Sequence, residues 1–326
     1  MKILGVGNAL VDVLAPLSSD EMLERLGLSK GGMRLINDDE ERRMSKIMSQ
    51  LTHERATGGS ASNAILALSH LQSGVGFVGN VGDDRNGRFF ADTLARVGVE
   101  GRLTKEDKPT GTANTFITPD GERTFATYLG AAACMRPEHI TGALFAGYDM
   151  VHVEGYLVGV PGLLEKVLRT AKETGLRISV DLSSYNVVQA YLEEMHDLVE
   201  NYVDIVFANE EEAEAFTGEK DPLLAARQIA ELCELAVVKM GSAGSGVMQK
   251  TVCREPVTVA SHHVEVVDTT AAGDFFAAGF LYGCGKDLPL RECLQCGTEL
   301  ATAVIQVIGT RVTDEAWASL QRYMNA

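Results

Sequence analysis

The segment VVDTTAAGDFFAAGFLYG, residues 266–283, reads as a strand that breaks into small residues and resumes as an apolar helix, with one carboxylate, Asp274, at its threshold. With the helix starting near Ala271, the amides of Ala271, Ala272, Gly273 and Asp274 are first-turn donors without intrahelical partners, and the helix dipole adds partial positive charge there. Such a turn is an anion cradle. Its small side chains let the backbone approach a phosphate closely. A carboxylate at the same point would repel that phosphate unless it has a task, such as taking a proton from an attacking hydroxyl. Asp is also a preferred N-cap, and the segment alone leaves cap and base open.

Outward from this turn, short apolar runs alternate with amphipathic helical patterns. The strand candidates are KILGVGNALVDV, GVGFVGNVG, DMVHVEG, RISVDLS, DIVFANE, LAVVKMG and SGVMQK, several of them apolar runs of the kind that parallel sheets bury on both faces. Between them the spacing predicts helices over 60–71, 87–97, 162–174, 211–216 and 223–233. This alternation predicts an α/β fold, a doubly wound and mostly parallel sheet flanked by helices. Two segments depart from it. MRLIN at 33–37 and GTANTFITPDGERTFATYLG at 111–130 alternate like strands, and Pro119-Asp120-Gly121 is a turn signal between the arms of the second. They predict a small antiparallel β lid beside a site that must exclude water, with lid segments near 12–50 and 102–130 in a single domain spanning 1–326.

Composition narrows the function. In 326 residues, 45% of them apolar, no uninterrupted apolar run approaches bilayer length, and the N-terminus reads as a strand rather than a signal peptide. A soluble, cytoplasmic protein is expected. Six scattered cysteines suit reduced thiols. Cys293 and Cys296 form a CxxC within a helical pattern, with no second Cys or His pair nearby, and read as buried small side chains rather than a zinc or redox site. A formal charge of −16 argues against nucleic acid as a partner. An anionic ligand must then be held by local dipoles and a few cations. Gly5-Val6-Gly7-Asn8-Ala9-Leu10 begins like G-x-G-x-x-G but carries Leu10 where the third glycine belongs, and no Walker P-loop is present.

Asp268-Thr269-Thr270-Ala271-Ala272-Gly273-Asp274 resembles the D-T-x-G-A-G-D signature of the PfkB (ribokinase-like) kinases, and Gly58-Gly59-Ser60-Ala61-Ser62-Asn63-Ala64 resembles their GG-x-x-x-N signature. Asn8, Asp12, Pro109 to Thr112, Asn209 to Glu212, and Lys239-Met240-Gly241 with Gly244 also fall where that family has its motifs, so the resemblance covers nearly the whole chain. GNALVDV, PTGTANTFIT and RISVDLSSYNVV look most like the adenosine kinases of the family.

The resemblance implies a ribokinase-like fold and an ATP-dependent kinase acting on a primary hydroxyl of a ribonucleoside, or of a sugar such as ribose, fructose or 2-keto-3-deoxygluconate. It implies Mg²⁺, in many relatives a monovalent cation such as K⁺, and a monomer or homodimer. Asp274 becomes the base, with the amides of Ala271, Ala272 and Gly273 and the lid residue Arg123 serving the transferred phosphoryl. Asn8, Asp12, Gly58, Gly59 and Asn63 match the acceptor side, while Asn209, Lys239, Gly241, Ser242 and Gly244 match the nucleotide side. Glu212 matches a residue acting on magnesium through water, and Asp268 and Thr270, with carbonyls around Val307 and Gly309, match the monovalent cation site. Singly, these residues have plainer readings. Asp12 is then a turn carboxylate, Asn63 a solvated helix residue, Glu210 to Glu212 an acidic helix start, and Arg123 an exposed strand-edge charge. Ala271 stands where the family has glycine: a negative φ makes the alanine harmless, a positive one strains the turn. That residue is also the one feature favouring a member that binds an effector without turnover.

Overall fold

The apolar run at the N-terminus divides. Ile3–Val6 (β1) and Leu10–Pro16 (β2) lie in different sheets, and a Cβ at the intervening Gly7 would collide with the Glu154 carboxylate, so only glycine fits this passage. The computed structural model describes residues 1–71, 74–120, 122–250 and 255–325. The other strands are Met33–Leu35 (β3), Glu54–Gly58 (β4), Val75–Gly82 (β5), Glu100–Glu106 (β6), Thr110–Ile117 (β7), Arg123–Gly130 (β8), Met150–Glu154 (β9), Arg177–Asp181 (β10), Ile205–Asn209 (β11), Leu235–Lys239 (β12), Ser245–Gln249 (β13) and Val257–Val259 (β14).

Among the described residues the large sheet has nine strands in the order β14-β13-β12-β11-β10-β9-β1-β5-β6. All pairings from β12 to β6 are parallel, and β13 and β14 add an antiparallel edge. The chain runs outward from β1 through β5 to β6, then returns to β9 and runs outward the other way, which creates a switch point between β1 and β9. Alternation along β1 feeds both faces: Ile3 belongs to the core that holds Ile65, Phe90 and Phe280, whereas Leu4 belongs to the core that holds Leu164, Leu168 and Leu198. The doubly wound α/β fold expected from the alternating pattern is present.

The second sheet has the order β3-β8-β7-β2-β4. The β7–β8 hairpin is antiparallel as expected, with Gly121 of its turn signal outside the described residues. The lid as a whole is mixed, because β2–β7 and β3–β8 pair in parallel; β2 and β3 reach their neighbours by crossovers rather than hairpins. Its limits also shift. Residues 102–106, expected in the lid, belong to β6 and pair with β5 at the edge of the large sheet, so the second lid segment begins at Thr110 and the first extends through β4 to Gly58. Val266 and Val267 form no strand: they are exposed in a loop running over the strand ends, held by a bond from the Val267 amide to the Ile305 carbonyl.

Trp317 packs in the last helix, stacked on His70 at 4.1 Å between ring centres. Cys293 and Cys296 are buried, and Cys253 lies outside the described residues. Among the described residues no helix is long and apolar enough to cross a membrane. The helix Ala272–Gly285 packs on Leu290–Val304 at close range through glycines. A Cβ at Gly279 would enter the Cys296 carbonyl, and one at Gly283 would lie 2.9 Å from the Cys293 Cα. We therefore expect Gly279→Ala to lower the urea midpoint by the equivalent of about 1–3 kcal/mol, the usual cost of overpacking; an unchanged midpoint would show that the two helices are free to separate.

Candidate active site

Glu154, Asp181, Asn209 and Lys239 are the last residues of the neighbouring parallel strands β9, β10, β11 and β12. A doubly wound sheet gathers ligand-facing groups at these carboxyl ends. Across from them, the helices Ser60–Ser69 and Ala272–Gly285 bring their N-termini together. Ser60 Oγ donates to Asp274 Oδ1 at 2.7 Å and Asn63 Nδ2 donates to Oδ2 at 2.9 Å. Asp274 thus does not cap its own helix: both carboxylate oxygens are held by another one. Burial pushes its pKa up to about 6; the bonds from Asn63 and Ser60 oppose the rise, the Asp181 charge adds to it, and Lys239 opposes it.

The helix begins at Ala272, with Ala271 outside it at φ 61° and ψ 9°. Alanine therefore holds a left-handed conformation here, and the turn is strained. Two of the three non-glycine residues with positive φ among the described residues, Ser183 and Ala271, flank the site, so strain collects where ligands would sit. The Ala272 amide turns back to the Thr269 carbonyl at 3.2 Å. Of the four donors expected, those of Ala271, Gly273 and Asp274 have no protein acceptor among the described residues. A Cβ at Gly273 would lie 2.9 Å from Lys239 Nζ, which brings a cation beside the free amides. Lys239 pairs with Asp181 at 2.9 Å. Burial pulls its pKa down, but Asp181, Glu212 and Asp274 outweigh that and leave it above the ordinary value.

On the other side of Asp274, a Cβ at Gly58 would strike the Asp12 carboxylate, and one at Gly59, whose φ is 96°, would strike the Asn8 carbonyl. The paired glycines let Asn8, Asp12 and the Ser60 helix approach one another. Glu154 Oε1 accepts both the amide and side chain of Asn8, while Oε2 accepts the Ala61 amide at 3.1 Å. Burial pushes Asp12 up to about 7, with the Asp274 charge adding to it, and burial pushes Glu154 to about 7 as well. Asn63 is buried rather than solvated. Arg123 is no strand-edge charge: it reaches from the lid to Asp268 at 2.6 Å and to Thr270 Oγ1 at 2.9 Å, with 12% of its side chain exposed. Asp268 also accepts the amides of Thr270 and Gly309, so its carboxylate is already engaged by a guanidinium and two N–H groups.

Asn209 and Glu212 form a reciprocal capping box, in which both Glu212 oxygens accept from Asn209, and Glu212 is buried while Glu210 and Glu211 are exposed. Burial, aided by the Asp181 charge, raises Glu212 to about 7. Among the described residues no group of three or more His, Cys, Asp or Glu side chains is arranged to hold a metal ion by itself. A cavity of about 560 Å³ is lined by Ser60, Asp181, Asn209, Glu212, Gly273 and Asp274. It shares Lys239, Gly241, Ala272 and Gly273 with a second, apolar cavity of about 320 Å³ bounded by Ser242, Gly244, Val264, Phe276 and Ala301. One continuous groove therefore runs from Asp274 over the free amides to an apolar end. Sequence reasoning did not single out Ser60, Glu154 and Asp181. The signal that could have found the two acids is a carboxylate ending a buried apolar strand, as in DMVHVEG and RISVDLS.

A model of the family described as pfkB family carbohydrate kinase matches residues 22–317. The crystal structure of adenosine kinase from Sinorhizobium meliloti superposes with a TM-score of 0.87 at 34% identity, covering 99% of each chain. Adenosine kinase 2 of Arabidopsis thaliana is 24% identical over 94% of both chains. An uncharacterized sugar kinase of Archaeoglobus fulgidus is 30% identical over 76% of this chain and 97% of its own length.

The positive φ at Ala271 yields a test. Ala271→Gly removes the left-handed penalty and is expected to stabilise the fold by about 1 kcal/mol, read as a rise in the denaturation midpoint; a fall would mean that the methyl makes a compensating contact.

Proposed function

The chain belongs to the pfkB family of carbohydrate kinases, ATP-dependent kinases of nucleosides and sugars, and from that premise we propose that its acceptor is a ribonucleoside. The observation that carries this is the inner face of the lid. Because Arg123 points from β8 to Asp268, Phe125, Thr127 and Leu129 face the same way. The register puts Met33 beside Phe125 and Leu35 beside Thr127, and through Ala113 it puts Asp12 on that face too. Met33 and Leu35 are 57% and 58% exposed. A roof of Met33, Leu35, Phe125 and Leu129 with one carboxylate suits a flat apolar base above a ribose whose vicinal hydroxyls meet Asp12 and Asn63. A free sugar, hydroxylated on every face, would leave hydroxyls unsatisfied under it.

In this reading Asp274 takes the proton of the primary hydroxyl as the hydroxyl oxygen bonds to the γ-phosphorus of ATP, the bond to the β–γ bridging oxygen breaks and ADP leaves, while the amides of Ala271, Gly273 and Asp274 with Lys239 stabilise the charge on the transferring group. The apolar end of the groove takes the adenine, with Gly241, Ser242 and Gly244 at its edge. The oxygen donors Asp181, Asn209 and Glu212 fit magnesium held largely through water; bound there, the ion would neutralise phosphate charge. A monovalent cation would draw on carbonyls near Val307 and Gly309, with Asp268 and Thr270 acting behind them. Arg123 would leave Asp268 for the phosphates when both substrates are present. Dependence on ATP suits a cytoplasmic enzyme, working as monomer or homodimer. The sugar-kinase alternative draws on the Archaeoglobus relative, and an effector-binding member without turnover would have no use for Asp274 beside free amides.

Turnover should therefore be at least about 10²-fold more efficient, as kcat/KM, with one or more ribonucleosides than with ribose, fructose or 2-keto-3-deoxygluconate; the reverse order overturns the proposal. Leu35→Asp should raise KM for that nucleoside about tenfold, through lost apolar cover, with little effect on KM for ATP.

Asp274→Asn should lower kcat by about 10²-fold or more with folding retained. A base must be ionised, so activity should fall as pH drops through about 6 rather than near 4. Ser60→Ala removes a donor that stabilises the carboxylate and should move this acidic limb to higher pH. A limb unmoved by Ser60→Ala, or activity untouched by Asp274→Asn, contradicts the assignment.

A further inference from the structure

A third cavity of about 350 Å³ lies behind the Ser60–Ser69 helix and shares no lining residue with the groove. Its charged lining residues are Arg55, Arg96 and Arg311, and no Asp or Glu lines it, although the chain carries 45 acids. The groove at Asp274 is the opposite, with five carboxylates and one lysine. Among the described residues one of the three arginines has a carboxylate partner: Arg311 pairs with Glu54. Arg55 has a neutral amide, Asn86 at 3.2 Å, and the face of Phe89 at 5.1 Å. Arg96 makes no side-chain ion pair or hydrogen bond among the described residues and is exposed at the mouth. The remaining walls are apolar and aromatic, including Leu66, Phe89 and Trp317, with hydroxyls from Thr57, Thr93 and Thr310. Guanidinium groups gathered at a cavity that no acid lines leave positive potential there, and its complement is an anion.

Asn63 and Phe275 also line this cavity. Asn63 holds Asp274 through Nδ2, and its Oδ1 is buried with no hydrogen-bond partner among the described residues, so the wall of the cavity is one side chain from the carboxylate. We propose that this cavity is an effector site for a small organic anion, a phosphate or carboxylate carried on a flat apolar body, and that its occupancy alters turnover through Asn63 and Phe275. The dimensions fall within the range of small-ligand pockets.

The probe is 1-naphthyl phosphate, titrated by calorimetry into the full-length enzyme. Saturable binding at one site is expected, retained in the presence of a saturating nonhydrolysable ATP analogue, and weakened about tenfold or more by Arg96→Glu, which removes a charged contact, or by Thr93→Trp, which fills the space. With whichever acceptor supports turnover, saturation should change kcat by at least about twofold. No saturable binding, displacement by the ATP analogue, affinity unchanged in both variants, or kcat unmoved at saturation would each overturn the proposal. The binding arms use no acceptor, so they stand or fall independently of the nucleoside reading.

Discussion

Two hydrogen bonds, from Ser60 Oγ and Asn63 Nδ2 to the two oxygens of Asp274, join helix starts 214 and 211 residues apart in the chain. Much of the site follows from them. They require the Ser60 helix to begin against the Asn8 carbonyl, which only a glycine at 59 permits, and they aim the carboxylate away from its own helix. The same contact leaves the Gly273 and Asp274 amides free, because Asp274 is not spent on capping. Glu154 locks the arrangement from below through Asn8 and Ala61.

The electrostatics are built on a concentration of acids that the protein does not fully neutralise. Asp12, Glu154, Glu212 and Asp274 are all raised well above ordinary carboxylates by burial, and Lys239 is the cation between the strand ends and the cradle. On the proposed reading such a site resists an anionic nucleotide until counter-charge arrives with it, which would favour binding ATP and metal together. Arg123, on the small sheet, pairs with Asp268 and Thr270. Behind the helix the sign reverses, and three arginines face a cavity without acids.

The fold was largely legible because buried parallel strands write themselves as apolar runs, such as DIVFANE and LAVVKMG, whose strands end at Asn209 and Lys239. The turn at Ala271 to Asp274 was legible for a related reason: small residues and an acid at a helix start have few uses. Less legible was the passage from β1 to β2. One continuous apolar run feeds two sheets there, because the break depends on what Gly7 meets across the fold rather than on any local breaker. The strand read into Val266-Val267 failed similarly, since apolar residues in a loop look like a strand until the absence of a pairing edge is known.

The sequence by itself determined the α/β class, most of the parallel strands of the large sheet, the turn of small residues with an acid at a helix start and many of the residues that gather around it, since each depends on local periodicity, on backbone freedom or on a motif short enough to be contiguous. The tertiary structure alone decided that Asp274 is held by Ser60 and Asn63 rather than capping a helix, that Ala271 sits at positive φ, that Glu154 and Asp181 stand at the strand ends beside it, and that β3 and β8 place apolar side chains on the face of the small sheet that carries Asp12. These are properties of groups that meet only when distant segments pack, and hydrogen-bond partners, burial and the pKa shifts they cause are set by that meeting.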